Sequence, residues 1–467
     1  MKVVISGGTV VNASGPIPAD VLVEDELIVG LCSPESSLSR EWVSLADLII
    51  DASGQFVIPG GIDGHTHMEM PFGGTQSSDT FETGTRAAAF GGTTTIIDFA
   101  LQTKGKSLRE GLDAWHAKAD GNCAIDYGFH MIVSDVNTQT LKEMDLLVDE
   151  GISSFKLFMA YPGVFYSTDG EILRAMQQAS SNGATIMMHA ENGIAIDVLV
   201  AQALERGETG PRYHGMTRPA ILEAEATHRA IQLARVAGAP LYIVHLSATE
   251  ALEEVATARD RGQSVFAETC PQYIFLSDDD MAREGFEGSK YICSPPLRPR
   301  SYQPELWRGL RTDDLSIVST DHCPFCFKDQ KELGIGNFSK IPNGLPGVED
   351  RVNLIFQGVE RGEISLARWV EVLSTTPARM FGLFPKKGVI APGADADIVI
   401  FDPSTTHTIS AATHHMNVDY SAYEGMEVKG TVTTVLSRGS VVIDGNRYVG
   451  KPGHGKFLTR GLNDYLR

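Results

Sequence analysis

The chain has 467 residues, of which 42% are hydrophobic and 21% charged, an ordinary globular balance that excludes a mostly disordered protein. Its formal net charge of −20 repels phosphate backbones and anionic lipid heads, which argues against nucleic acid and membrane partners but not against a small neutral substrate. At roughly one domain per 150 residues, the length suits one large α/β domain with a smaller companion.

The N-terminus, MKVVISGGTVVNASG, alternates apolar residues and then turns on glycine. That pattern predicts a strand and a turn rather than a signal peptide. KVVISGGTVV, ADVLVEDELIVGL and LADLIIDAS are read as short strands, as are GVIAPGADADIVIFDP and KGTVTTVLSRGSVVIDG near the other end. Neither end has strands enough to bury a core alone, so together they are expected to build one small β-sandwich-like domain. No apolar run approaches the ~18 residues of a membrane span.

Between the ends, eight apolar runs alternate with helical patterns. They are QFVIPGGID (55–63), TTTIIDFA (93–100), IDYGFHMIV (125–133), ISSFKLF (152–158), ATIMMHA (184–190), PLYIVHL (240–246), SVFAET (264–269) and LSIVST (315–320). LKEMDLLVDEG, EILRAMQQASSNG and ALEEVATARDRG are helical patterns between them. Eight β-then-α units predict a TIM (β/α)8 barrel. The chain divides into 1–54, the first part of the β-domain; 55–385, the catalytic barrel; 386–450, the second part of the β-domain; and 451–467, a polar tail that docks elsewhere or frays.

Unusual residues fall at the ends of these runs. His65 and His67 follow the first, Lys156 ends the fourth, His189 the fifth, His245 the sixth, and Asp321 follows the eighth. Barrel active sites sit at the C-terminal ends of the strands, so these six groups are expected to converge on one rim. Residues i and i+2 of a strand point the same way, which lets His65 and His67 grip one ion. A lysine among histidines at such a rim is disfavoured as an ammonium by desolvation and by nearby cations. As a neutral amine, Lys156 can add carbon dioxide and become N6-carboxylysine, whose two oxygens bridge two cations. Two ions ~3.5–4 Å apart with a bridging hydroxide form a hydrolytic device. His65, His67 and Asp321 are assigned to one ion, and His189 and His245 to the other. Nitrogen and oxygen ligands suit zinc, and manganese, cobalt and nickel are accommodated too. His322, beside Asp321, is expected to point away.

Six cysteines in so long a chain are no disulfide framework, and a reducing cytoplasm fits them. Cys323-Pro324-Phe325-Cys326 has redox spacing but lacks the expected context of a helix start in a small βαβ domain, so packing is the preferred reading.

The stretches GGIDGHTHMEMPFGGT (60–75), SSFKLFMAYPG (153–163), MMHAENG (187–193), IVHLSA (243–248), ETCPQY (268–273), CSPPLR (293–298), STDHCPF (319–325), PNGLPGVE (342–349), PGADADIVIFDP (392–403) and NVDYSAYEG (417–425) run in order over nearly the whole chain. With them the sequence resembles the cyclic amidohydrolases, most closely the dihydropyrimidinase and D-hydantoinase family. The resemblance implies a distorted TIM barrel with the end-built β-domain, and opening of a cyclic ureide or imide to an N-carbamoyl amino acid. It implies two zinc ions bridged by carboxylated Lys156, with the six ligands named above. By the same resemblance Asp321 shuttles a proton to the leaving ring nitrogen, and Tyr161 donates to the attacked carbonyl. Ser294 and Asn343 grip the ring amide through their backbones, and the chain assembles as a tetramer or dimer. Dihydroorotase relatives carry an arginine just after the His-x-His; here Met68, Glu69 and Met70 follow, which fits an uncharged ring with an apolar substituent. Met68, Phe72 and Phe165 are candidates to line the pocket for it. Allantoinase or another imidase is the second reading, and a non-catalytic assembly protein of the same fold the third.

Overall fold

In the computed structural model, which describes residues 1–466, eight parallel strands follow one another in chain order within one sheet. They are Gly61–Thr66, Thr93–Leu101, Asp126–Ile132, Ser154–Phe158, Thr185–His189, Leu241–Ile243, Val265–Thr269 and Ile317–Val318. Residues 93–100 are all buried, as they must be where helices cover one face of a strand and the barrel interior the other. The helices begin where capping chemistry starts them. Ser107, Asn137 and Thr168 each accept from the first turn of the helix that follows, in a capping box. The helix Asp169–Asn182 stops at Gly183, whose φ of 78° is the left-handed conformation that glycine adopts without strain.

The barrel is distorted at its seam. The first and last strands share no ladder; a single parallel bridge joins Thr66 to His322. Side chains close the remaining gap. Thr320 donates from its main-chain N and from Oγ1 to the Asp63 carboxylate. The buried Arg351 guanidinium reaches the carbonyls of both Ile62 and Val318, at 2.9 Å each. His67 is thereby carried to within one main-chain hydrogen bond of His322, across more than half the chain.

Both chain ends build the second unit. One sheet runs Leu27–Cys32, Asp20–Glu24, Lys2–Ser6, Leu48–Asp51. The other runs Arg447–Tyr448, Ser440–Asp444, Glu427–Ser437, Ile398–Thr408, Phe56–Pro59, Thr9–Asn12, Gly15–Pro18. Val3, Ile5, Val21, Val57, Ile398 and Leu436 are fully buried in a core separate from that of the barrel, as a sandwich requires. Phe56–Pro59 departs from expectation. It opens the first of the eight apolar runs, yet it pairs with Ile398–Thr408 and Thr9–Asn12, and the barrel strand starts only at Gly61. The chain switches sheets at Gly60, where a Cβ would lie 2.0 Å from Thr94 Oγ1.

Residues 456–460 dock on the barrel instead of fraying. The Lys456 carbonyl and the Leu458 amide bracket Tyr127, and Arg460 reaches the Phe129 carbonyl and Ser154. Nearby, the buried Lys387 ammonium lies 2.6 Å from Asp126, 3.0 Å from Asp395 and 2.7 Å from Asp397. Burial opposes its charge, but the three carboxylates outweigh it and raise its pKa. Asp126 opens a barrel strand and Asp397 adjoins a sandwich strand, so this cation ties the two units together, with Arg438 at 3.0 Å from Asp126 beside it. Replacing Lys387 leaves the buried Asp397 without a cation, though Asp126 keeps Arg438, at a cost of about 3–5 kcal/mol. Lys387→Met is therefore expected to lower the thermal midpoint, followed by circular dichroism, while the fraction still folded keeps its activity.

Candidate metal centre

All six sequence-predicted ligands meet at the C-terminal rim of the barrel. His65 lies in its strand and His67 just beyond it, Lys156 is the third residue of Ser154–Phe158, and His189 is the last of Thr185–His189. His245 and Asp321 stand past the ends of theirs with φ of 40° and 53°. Those left-handed bends, which non-glycine residues adopt at a cost of about 1–3 kcal/mol, turn both side chains into the rim. All six are buried.

The protonation pattern follows from who accepts from whom. His65 Nδ1 is held by the Glu268 carboxylate, which can only accept, so Nδ1 carries the proton and Nε2 presents a lone pair. That lone pair faces Asp321 Oδ1 at 3.1 Å and Lys156 Nζ at 2.9 Å. His67 Nε2 lies 3.3 Å from the same Asp321 oxygen. Ligand atoms at ~2.1 Å from a tetrahedral ion are ~3.4 Å apart, so these spacings fit one divalent cation at their centre. One ligand atom from each of His65, His67 and Asp321 lies within 4.8 Å of the others. His189 repeats the device, with Nε2 on Glu191 at 2.7 Å and Nδ1 left free. Nδ1 of His67 and of His245 are buried without a hydrogen-bond partner. A dry cluster of lone pairs around a carboxylate is what a resident cation resolves.

The electrostatics agree. Burial pulls the His67 imidazole down to about 3 and His245 well below its usual range. Burial would neutralise Asp321, but the surrounding imidazoles hold its carboxyl well below the carboxylate range. Burial brings Lys156 down to about 8, against the pull of Asp321 and Glu268. Burial and Lys156 work against a charged His65 and are outweighed by Glu268 and Asp321, which raise it.

The pocket beside the rim is lined by Tyr161, Ser294 and Asn343 as well as by five of the six ligands; His65 lies behind it. Tyr161 has φ of 59° and stands 5.4 Å, ring to ring, from His189. Burial raises its phenol pKa, so it stays a donor. Asn343 Nδ2 donates to Ser294 Oγ at 3.0 Å. The outer wall is apolar: Phe72 stacks on Phe165, and Met70 lines the space beside them. Met68 does not reach it. Its thioether packs over Gly84, where a Cβ would lie 2.2 Å from the sulfur. Cys323 lines the pocket and Cys326 is partly buried, both in irregular backbone rather than at the helix start a redox motif would have.

Four supporting carboxylates were absent from the sequence reading. Glu268 and Glu191 orient His65 and His189. Asp98 accepts from Thr66 Oγ1, the Met68 amide and Trp115 Nε1, fixing the His-Thr-His turn. Asp79 accepts from His322 Nε2 at 3.0 Å and turns that ring away from the site. Glu268 and Asp98 share a signal the sequence did carry: each is an acid inside an otherwise apolar strand, which burial forbids without partners.

Comparison with known proteins follows the geometry. Residues 56–442 match the model of the Amidohydrolase family. A D-hydantoinase of Streptomyces coelicolor is 67% identical over 465 residues, spanning 100% of this chain and 99% of its own. A D-hydantoinase of Geobacillus stearothermophilus is 50% identical over 98% of this chain and 97% of its own. Among solved structures, the dihydropyrimidinase from Brevibacillus agri NCHU1002 superposes with a TM-score of 0.96 at 49% identity, covering 99% of each chain. The chain, with its barrel, its buried His-His-Asp group and these relatives, belongs to the amidohydrolase family, on the branch of the D-hydantoinases and dihydropyrimidinases.

Proposed function

We propose that this chain opens the ring amide of a neutral cyclic ureide, a 5-substituted hydantoin or a dihydropyrimidine, to give an N-carbamoyl amino acid. The observation that carries the reading is the pocket wall. Among the described residues lining it, Lys156 is the sole lysine or arginine, and the outer wall is Met70, Phe72 and Phe165. Nothing there pairs with a substrate carboxylate, and an apolar ring substituent finds apolar partners.

Bound at this rim, two divalent ions, zinc or another of its series, would supply a hydroxide nucleophile at neutral pH and polarise the attacked carbonyl. His65, His67 and Asp321 would hold one, His189 and His245 the other. Lys156 would lie between them, its neutral amine adding carbon dioxide and losing a proton to become a carbamate. Glu268 and Glu191 keep the ring nitrogens of His65 and His189 pointed correctly. Tyr161 donates its phenol proton in a hydrogen bond to the carbonyl oxygen as charge gathers there. Ser294 and Asn343 hold the ring amide through their main chains. Asp321, ionised in the resting site, takes the proton of the attacking hydroxyl group and passes it to the ring nitrogen as the C–N bond breaks. The aromatic wall keeps bulk water out. Family likeness extends the reading to a cytoplasmic homo-oligomer, a tetramer or dimer; no helix among the described residues is long and apolar enough to cross a membrane.

Initial rates on dihydrouracil, a 5-substituted hydantoin, allantoin and dihydroorotate test the proposal, with metal content measured on the same sample. Turnover is expected on the first two, lost on chelation and restored by zinc. Turnover confined to allantoin or dihydroorotate, or none at all in metal-loaded protein, would overturn it. Lys156→Ala is expected to lose bound metal and nearly all activity, with partial return on adding a short carboxylic acid; full activity would remove Lys156 from the mechanism. Tyr161→Phe is expected to lower kcat by roughly 10²–10³ with KM little changed.

A further inference from the structure

Lys331 opens a single turn, Lys331–Gly334, in the segment after the last barrel strand. It is fully buried and is not part of the pocket wall. Its Nζ donates to three main-chain carbonyls: Ile292 at 3.1 Å, Pro342 at 2.7 Å and Gly344 at 2.8 Å. Three N–H groups meet three acceptors, so the ammonium is satisfied by peptide dipoles alone. Burial brings it down to about 7, and no carboxylate figures among the charges that counter this. An ammonium buried on such terms is costly.

The carbonyls it has chosen are informative. Ile292 stands two residues before Ser294, and Pro342 and Gly344 flank Asn343. Both segments are irregular backbone, held to each other by no ladder. Two other contacts join them: the Gly344 amide to the Ile292 carbonyl at 2.9 Å, and Asn343 Nδ2 to Ser294 Oγ at 3.0 Å. The second segment is also pressed against the backbone after Asp321, since a Cβ on Gly344 would lie 2.2 Å from the Cys323 carbonyl oxygen. The ammonium grips both segments without itself lining the pocket.

We infer that Lys331 is a positioning residue for substrate binding: its ammonium sets the separation of the Ser294 and Asn343 main chains, and so the grip on the ring amide. This rests on the function proposed above, in which those two main chains hold the substrate. Groups that hold ground state and transition state alike affect KM and leave kcat alone. A merely structural lysine would instead move stability, or metal content and kcat together.

The test is steady-state kinetics of metal-loaded Lys331→Met and Lys331→Gln on a 5-substituted hydantoin, with metal content and thermal midpoint measured alongside. The methionine keeps the unbranched shape, one atom shorter, and removes every donor; the glutamine keeps two. The expected result is a KM raised about tenfold in Lys331→Met, a smaller rise in Lys331→Gln, and kcat and metal content near those of the parent chain. Should Lys331→Met fail to fold, Lys331→Gln carries the same criterion. An unmoved KM in a folded variant, or kcat falling together with bound metal, would overturn the inference. A parent chain inactive on every ring would sink the function itself, an outcome distinct from an active parent whose KM ignores Lys331.

Discussion

One oxygen of Asp321 lies 3.1 Å from His65 Nε2 and 3.3 Å from His67 Nε2, in surroundings that water scarcely reaches. An ionised carboxylate facing imidazole lone pairs is stable only if positive charge sits among them, and much of the molecule is arranged around that demand. Residues so far apart in the chain meet because a parallel barrel brings its first and eighth strands side by side. The seam that does so is the barrel's weakest join, a bridge at Thr66 and His322 reinforced by Asp63 and Arg351. Outside the candidate ligands stand three buried carboxylates, Glu268, Glu191 and Asp98, each held by hydrogen bonds. Glu268 and Glu191 decide which nitrogen of His65 and of His189 is free, and Asp98 fixes the turn that carries His67.

The site is also where the backbone is bent against preference. Tyr161, His245 and Asp321 are non-glycine residues at positive φ, and each turns a functional side chain inward just past a strand end. Such bends persist only where packing determines them, and here the aromatic cluster of Phe158, Phe165 and Tyr161 runs unbroken to His189. Pocket wall and histidine rim are thus one packed body.

The fold was legible because burial on both faces of a parallel strand writes itself as an unbroken apolar run, and because the ligands punctuate those runs at one end. His189 and Lys156 stood out for that reason. Phe56–Pro59 was misplaced because it and Gly61–Thr66 are two strands separated by one residue, and period alone does not tell which sheet a run joins. Met68 and Met70 differ only in which way a loop turns, and that depends on Gly84, distant in sequence. Ser294 and Asn343 line the pocket from irregular segments whose residue types read only as turns, so family likeness supplied them. Lys331 was invisible for a related reason: its partners are carbonyls, which every residue has.

The sandwich is stitched from both termini, and this bears on how the protein emerges from the ribosome. Thr9–Asn12 and Phe56–Pro59 are made early, but the neighbour of Phe56–Pro59 on its other side is Ile398–Thr408. At ~5–20 residues per second, those apolar edges wait on the order of tens of seconds for the rest of the chain. Their safest course is for the four-stranded sheet at the very start to form first and shelter them. Completion then belongs to residues made later still, for Lys456, Leu458 and Arg460 cover the outer end of the third barrel strand. A chain cut before residue 456 would keep every candidate ligand at the rim while leaving the foot of its barrel bare.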